Sequence, residues 1–273
     1  VPTPAEKAEA FLALHRGASP LLMPNPWDIG SARLLESLGF LALATTSGGF
    51  AASLGRPDGS VSRDESIAHG QAVASAVDVP VSADLENCFA DDPEGVAATI
   101  ALALEAGLAG CSVEDFSKND SDPIYDLGLA RDRVAAAAEV AHRGPVHLVL
   151  TARAENLIRG RPDLDDTIAR LQAYQEAGAD VLYAPGLVEL DDIRRVVSSV
   201  DRPVNVLVRP DAPTVSELAE VGVARISVGS AFAWVALAGL VEAAQELLGL
   251  GTYGYWDRSA AGRAVASSAI ARS

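Results

Sequence analysis

The sequence predicts an α/β chain of the (β/α)₈ type, a TIM barrel with an extra C-terminal helix. Three observations predict it. Eight short apolar runs centre near residues 21, 41, 80, 111, 147, 181, 204 and 225, each followed by a helical pattern. Polar or charged residues end one run after another: Asp84 and Glu86, Glu114 and Asp115, Arg153 and Glu155. Such barrels carry their sites at the C-terminal ends of the strands. The chain has 273 residues, and one barrel takes about 250. No linker or compositional break interrupts the alternation, so residues 1–273 read as one domain. A doubly wound open sheet is the alternative, but no Gly-rich dinucleotide fingerprint follows a strand.

The elements follow in order. Residues 3–16 read as a helix, with Ala8, Phe11, Leu12 and Leu14 near one face. Leu21–Met23 is a strand stopped by Pro24 and Pro26, and Asp28 is placed to cap the helix through Leu38. Phe40–Thr45 is the second strand, and Ser47-Gly48-Gly49 follows it. Glycines there let backbone N–H groups approach an anion, or simply make a tight turn. Ser62–Ala76 is a helix and Val79–Ala83 a strand. Asp92-Pro93 opens a helix to Ala106, with proline in its first turn. Gly110–Val113 is the fourth strand, and the polar loop 116–128 is longer than its neighbours, as lids are. Leu129–His142, Asp163–Ala177 and Leu190–Val200 are helices; His147–Leu150, Val181–Tyr183, Val204–Val206 and Arg225–Val228 are strands. Thr214 caps a short helix ending at Gly222. Gly229-Ser230 opens an apolar helix over Ala231–Leu248, and Tyr255–Ile270 is the spare one.

Composition narrows the function. Net charge is −16 and the only lysines are Lys7 and Lys118, which argues against a nucleic-acid surface. An anionic substrate would need a local cation in that negative field. Cys88 and Cys111 have no zinc spacing and read as buried thiols. No apolar run free of polar residues suggests a membrane span, and no basic-then-apolar start suggests a signal peptide. The expectation is a soluble, cytoplasmic protein without nucleic-acid or membrane partners.

Chemistry concentrates in Ser82-Ala-Asp-Leu-Glu86. Residues i and i+2 of a strand share a face, so Asp84 and Glu86 converge if the strand persists to Glu86. Paired oxygen ligands suit a hard cation such as Mg²⁺. Acidic residues after strands also cap helices, the alternative for each taken singly. His15, His69 and His142 fall in helices and read as surface or core residues, and His147 lies at the strand end away from the site.

Together Asn25-Pro-Trp-Asp28, Thr45-Thr-Ser-Gly-Gly49, Pro57-Asp58, Ser82–Glu86, Ser112-Val-Glu-Asp115, Thr151-Ala-Arg153 and the Asn205 strand resemble the isocitrate lyase/phosphoenolpyruvate mutase superfamily, its short phosphonomutase-like branch most of all. The resemblance runs from about Pro24 to Ser230. It implies Mg²⁺ at the barrel mouth, with Mn²⁺ as a substitute. Asp84 would be the direct ligand, and Asp58, Glu86 and Glu114 would hold metal-bound waters. Ser47, Gly48 and Gly49 would meet the substrate's carboxylate or enolate oxygen, and Arg153 would pair with its carboxylate. Asn205, Trp27 and Tyr183 would wall the pocket. The implied chemistry is cleavage of a small 2-oxo or 2-hydroxy dicarboxylate to an enolate of pyruvate that the metal stabilises.

The lid decides the subclass. Lyases of the superfamily carry Lys-x-Cys-Gly-His there, and this loop reads Phe116-Ser-Lys-Asn-Asp-Ser121, with neither Cys nor His. Lys118, Asn119 and Ser121 are similar to the Lys, Asn and Ser of the mutase lid, which keeps a carbon–phosphorus enzyme acting on phosphonopyruvate as the alternative. Lys118 reads as catalytic or as a solvated loop charge. A barrel that binds a 2-oxo acid without turning it over is the third reading. The resemblance also implies a homo-oligomer, a dimer or tetramer, in which the helices over 231–273 contact or swap onto a partner.

Overall fold

The computed structural model describes residues 2–119 and 121–271, so Asp120 of the polar loop lies outside the described residues. Eight parallel strands are joined in the order β1-β8-β7-β6-β5-β4-β3-β2. They are β1 (Leu21–Met23), β2 (Leu43–Ala44), β3 (Val81–Asp84), β4 (Gly110–Glu114), β5 (Val149–Arg153), β6 (Val181–Tyr183), β7 (Val204–Leu207) and β8 (Arg225–Ser227). The circle closes between β1 and β2, where the Ala44 N–H donates to Pro24 O at 3.1 Å. Pro24 has no N–H to return, so that seam stays narrow and β2 is shorter than the expected Phe40–Thr45 run.

Of the helices, one precedes β1, and at least one follows each strand. They are α1 (Pro4–Leu14), α2 (Ile29–Ser37), α3 (Ser47–Ser53), α4 (Arg63–Ala76), α5 (Pro93–Glu105), α6 (Leu127–Ala141), α7 (Leu164–Glu176), α8 (Leu190–Ser198), α9 (Val215–Glu220), α10 (Ala231–Leu250) and α11 (Trp256–Ile270). Asp28, Asp92 and Thr214 cap their helices as the sequence predicts. The Ser47-Gly-Gly stretch differs: it is the first turn of α3, capped by Thr46, rather than a turn. Local propensity opposes a helix there. Packing requires glycine at position 49, because a Cβ there would sit 2.6 Å from Thr46 Cγ2 and 3.2 Å from Trp27 Cβ.

Two cores hold the barrel. One lies between strands and outer helices, built on residues such as Val96, Ile100, Leu108, Val134, Leu150 and Leu171. The other fills the barrel's lower interior, where α1 inserts Ala8 and Phe11 among Leu21, Met23, Val149 and Val181. Gly110 makes room for this plug: a Cβ there would stand 2.7 Å from the Phe11 ring and 2.8 Å from Val149 O. His15 closes the plug. Its Nδ1–H donates to Phe11 O at 2.8 Å, and its Nε2 accepts from Arg225 at 3.2 Å. Burial, then the Arg225 charge, pushes the imidazole pKa down to about 3, so it stays neutral. Lys7 is also structural, donating to Ala74 O and Val77 O at the end of α4.

The C-terminal helices stand apart from this packing. α11 lies against α2 of its own chain. Ala233 is the one buried residue among those described on α10, although the helix is largely apolar. By length and a mean hydropathy of 1.4, α10 would suffice to cross a membrane. It carries Glu242 and Glu246, however. Glu242 pairs with Arg258 of α11, and Glu246 accepts from Thr252 Oγ1 and Gly254 N in the connecting turn. The helix runs through Gly249 and ends at Gly251, whose φ of 64° is left-handed.

Candidate active site

A cavity of about 580 Å³ opens at the C-terminal ends of the strands. Asp58, Asp84, Glu86, Glu114, Lys118, Arg153 and Tyr183 line it, with Ser47, Asn205, Arg159 and Arg225. Most of these stand at or just after a strand end, so alternation and barrel closure turn them to one mouth.

Arg153 is the centre of the cluster. Its Nη1 lies 2.8 Å from Glu114 Oε1 and 3.2 Å from Asp84 Oδ1, and its Nη2 lies 2.8 Å from Glu155 Oε1. Tyr183 packs its ring 4.9 Å from the guanidinium carbon. Burial works against the Arg153 charge, but Glu114, Glu155 and Asp84 outweigh it and hold its pKa well above the ordinary value. Burial pushes the Glu114 carboxyl up, against the pull of Arg153. Asp84 is fixed from two further sides. The Ser47 N–H donates to Oδ2 at 3.0 Å, and the Asp84 N–H donates to Thr45 Oγ1 at 2.9 Å.

Glu86 reaches the mouth by a route that alternation does not predict. β3 stops at Asp84, and Glu86 takes a left-handed φ of 50°. Cys88 and Phe89 are left-handed too, at 58° and 57°. Such non-glycine residues cost about 1–3 kcal/mol each and persist where surroundings over-determine them. Arg133 of α6 supplies that constraint, donating to the carbonyls of Asn87, Ala90 and Glu114. Lys118, left-handed at 60°, brings the lid down on this loop: its Nζ lies 2.5 Å from Glu86 Oε2 and 5.2 Å from the Phe89 ring centre. Burial raises the Glu86 pKa, and Lys118 opposes the rise.

The site takes some expected residues and leaves others out. Gly48 and Gly49 lie behind the wall in α3. A Cβ on Gly48 would stand 3.2 Å from Asp58 Oδ2 and 2.9 Å from Ser230 Oγ, so its bareness seats Asp58. Trp27 faces a separate crevice between α2 and the C-terminal helices. Asn119 turns back within the lid, its Oδ1 accepting from Ser121 N and Oγ. Asn205 is a buried anchor, donating to Ser227 Oγ and accepting from Arg225 Nε. Asp115 points away from Glu114 and is buried against Arg170 and Tyr174.

Sequence reasoning missed three groups. Arg225 stands below the mouth on Asn205, Thr151 and His15. Burial pushes its pKa down to about 9. An arginine inside a short apolar run was the available signal. Asn25 accepts from Val228 N and Gly229 N and donates to Thr45 O, tying β1, β2 and β8 together. Arg159 stacks its guanidinium 3.7 Å over the Phe116 ring, and nothing local in the sequence announces it.

The donors fit a hard divalent ion. Asp58, Asp84, Glu86 and Glu114 offer oxygen only, and Glu86 Oε1 is a buried carboxylate oxygen without a hydrogen-bond partner among the described residues. Arg153 stands between Asp84 and Glu114, so it shares their charge with any ion held there.

The family model described as phosphoenolpyruvate phosphomutase matches residues 11–248. This chain belongs to that family. Among solved structures, a Burkholderia cenocepacia J2315 protein described as lyase/mutase-like is 49% identical, with a TM-score of 0.90 over 92% of this chain and 91% of that one. An oxaloacetate acetylhydrolase in complex with its product oxalate is 25% identical, with a TM-score of 0.84 over 93% and 90% of the two chains. The 2-methylisocitrate lyase of Escherichia coli K12 is 30% identical over 205 residues, 72% of this chain and 68% of that one. Members of the phosphoenolpyruvate phosphomutase family and its relatives are thus lyases, hydrolases and mutases of small molecules.

Proposed function

We propose that the protein cleaves a carbon–carbon bond of a small 2-oxo or 2-hydroxy dicarboxylate, oxaloacetate-like acids first, with Mg²⁺ or in its place Mn²⁺. The observation that carries this reading is Arg153, held at the mouth between Glu155 on one side and Asp84 and Glu114 on the other. A rigid guanidinium at a pocket floor suits a planar carboxylate. An oxaloacetate acetylhydrolase and a 2,3-dimethylmalate lyase among its relatives, named for dicarboxylates, support the same substrate class.

Each residue then has a task. Arg153 orients the substrate carboxylate, and Tyr183 keeps the guanidinium in plane. Asp84 would hold the ion directly, with Asp58, Glu86 and Glu114 around it. When bound, the ion supplies Lewis-acid stabilisation of a developing enolate oxygen, by several kcal/mol. The Ser47 N–H fixes Asp84. Lys118 closes the lid through Glu86 and gives a proton to the enolate fragment, while a 2-hydroxy substrate passes its hydroxyl proton to Glu114 and a 2-oxo substrate takes up one water. The inward turn of Asn119 onto Ser121 leaves the carbon–phosphorus reading without a lid amide directed at the substrate.

A homo-oligomer, dimer or tetramer, belongs to the same proposal. The apolar face of α10, with Trp234, Leu240 and Leu248 exposed, is the contact we assign to it.

Product detection by proton and phosphorus NMR tests the activity. Purified protein is incubated with oxaloacetate, 2-methylisocitrate and phosphonopyruvate, with Mg²⁺ and then with EDTA. Acid cleavage lost in EDTA is the expected result. A phosphorus shift from phosphonopyruvate alone would overturn it.

A further inference from the structure

We propose that His142, His147 and Asp180 form a second metal site, for a zinc-like divalent ion, at the N-terminal end of the barrel. The place is far from the mouth. His142 follows α6, His147 lies two residues before β5, and Asp180 immediately precedes β6. Arg153 is at the opposite end of β5, roughly 20 Å from His147 at strand rise.

The three side chains already converge. His142 Nε2 lies 2.9 Å from Asp180 Oδ2, and His147 Nε2 lies 3.0 Å from Oδ1. The rings stack with centroids 4.1 Å apart and planes 11° apart, so both present the same nitrogen to one carboxylate. Their ligand atoms all fall within 4.8 Å of one another. Tetrahedral zinc, with bonds of about 2.0–2.2 Å, sets ligand atoms about 3.3 Å apart. The two imidazole–carboxylate contacts need to open by only a few tenths of an ångström to admit it, and the stacked rings must tilt so that both Nε2 lone pairs meet one ion.

The carboxylate is also held from behind. Asp180 is buried, and the Leu150 N–H donates to Oδ2 at 2.9 Å. A backbone N–H on a ligating carboxylate fixes its direction. The histidines keep 26% and 40% of their side-chain surface open, which leaves an entry path and a fourth position for water. On binding, the proton that each Nε2 now directs at Asp180 leaves or moves to Nδ1, and Nε2 becomes the ligand atom. Two imidazoles and one carboxylate select zinc, cobalt or nickel over magnesium, whereas the mouth offers oxygen alone. The ion would tie the end of α6 to the starts of β5 and β6.

The test uses the full chain without a histidine tag, stripped with EDTA. Zinc is titrated by calorimetry, and cobalt by visible absorption. With excess Mg²⁺ present to occupy the mouth, one zinc or cobalt ion per chain is expected. His147→Gln should weaken binding by at least about tenfold, His142→Gln with His147→Gln should abolish it, and Asp84→Asn should leave it intact. Circular dichroism checks that each variant is folded, and the half-exposed His147 single variant stands if the double one is not. Absence of saturable zinc binding to the wild type would overturn the proposal. So would undiminished binding to the His147 variant, or loss in the Asp84 variant instead.

Discussion

Glu155 Oε1 accepts a hydrogen bond from Arg153 Nε at 2.9 Å and lies 2.8 Å from Nη2 of the same guanidinium. Glu155 is fully buried, and its own N–H donates to Asp115 Oδ1. It is a positioning residue that aims Arg153 at the mouth. Glu155→Gln keeps the shape but removes the charge and one acceptor. We expect KM for the dicarboxylate to rise by about tenfold or more, with a smaller change in kcat. Steady-state kinetics checks this, and an unchanged KM removes the positioning role.

Lys118 and Glu86 are both left-handed, and each holds the other in place. Lys118→Ala should lower kcat by roughly 10²-fold if the ammonium carries a proton. Oxalate binding by calorimetry should stay within a few-fold. Intact turnover would reduce the lid to a gate. Glu86→Gln should loosen the lid without removing the ammonium, which limited proteolysis in loop 116–126 would report.

His15 makes stability fall with acid. Its folded pKa of about 3 lies below its ordinary value near 6.5, so the unfolded chain binds the proton first. Its contribution is fully present above pH 6.5 and is lost as pH falls toward 3, by about 1.4 kcal/mol per pH unit. His69, pushed down to about 4 by burial, acts in the same sense. Urea unfolding of wild type and His15→Gln between pH 7.5 and 4.5 separates the two. The wild-type slope should be steeper by that amount, and parallel slopes would show that His15 titrates freely.

The apolar face of α10 predicts the assembly. Leu240 is 64% exposed and Leu248 87% exposed, on a helix whose neighbours cover little of it. Light scattering after size exclusion should give a mass that is a multiple of the 28.2 kDa chain. Leu240→Glu with Leu248→Glu should shift it toward the monomer. A wild-type monomer at micromolar concentration would sink the oligomer reading.

Asp84, Glu114 and Arg153 were legible because a strand end has only two faces. A polar residue that closes an apolar run there has nowhere to point but the mouth or the helix layer. The caps at Asp28, Asp92 and Thr214 were legible for the same local reason. The route of Glu86 to the mouth and the direction of Asp115 were not. Glu86 leaves the strand through a left-handed backbone that Arg133 holds from another helix, and Asp115 turns into the protein to meet Arg170 and Tyr174. Asn119 and Trp27 sat in motif-bearing stretches but point elsewhere, because a spacing does not carry a direction.

The sequence by itself determined the barrel, the direction of its strands and the family. Periodicity and turn residues act over a few positions, and they repeat eight times here. Only the tertiary structure decided that Ser47-Gly-Gly is helical, that Arg153 is shared among three carboxylates, and that two histidines and an aspartate meet at the opposite end. Those outcomes depend on groups far apart in the chain, such as Arg153 and Asp84, or His142 and Asp180. Their meeting is set by barrel closure and by the burial that forces each charge to find a partner.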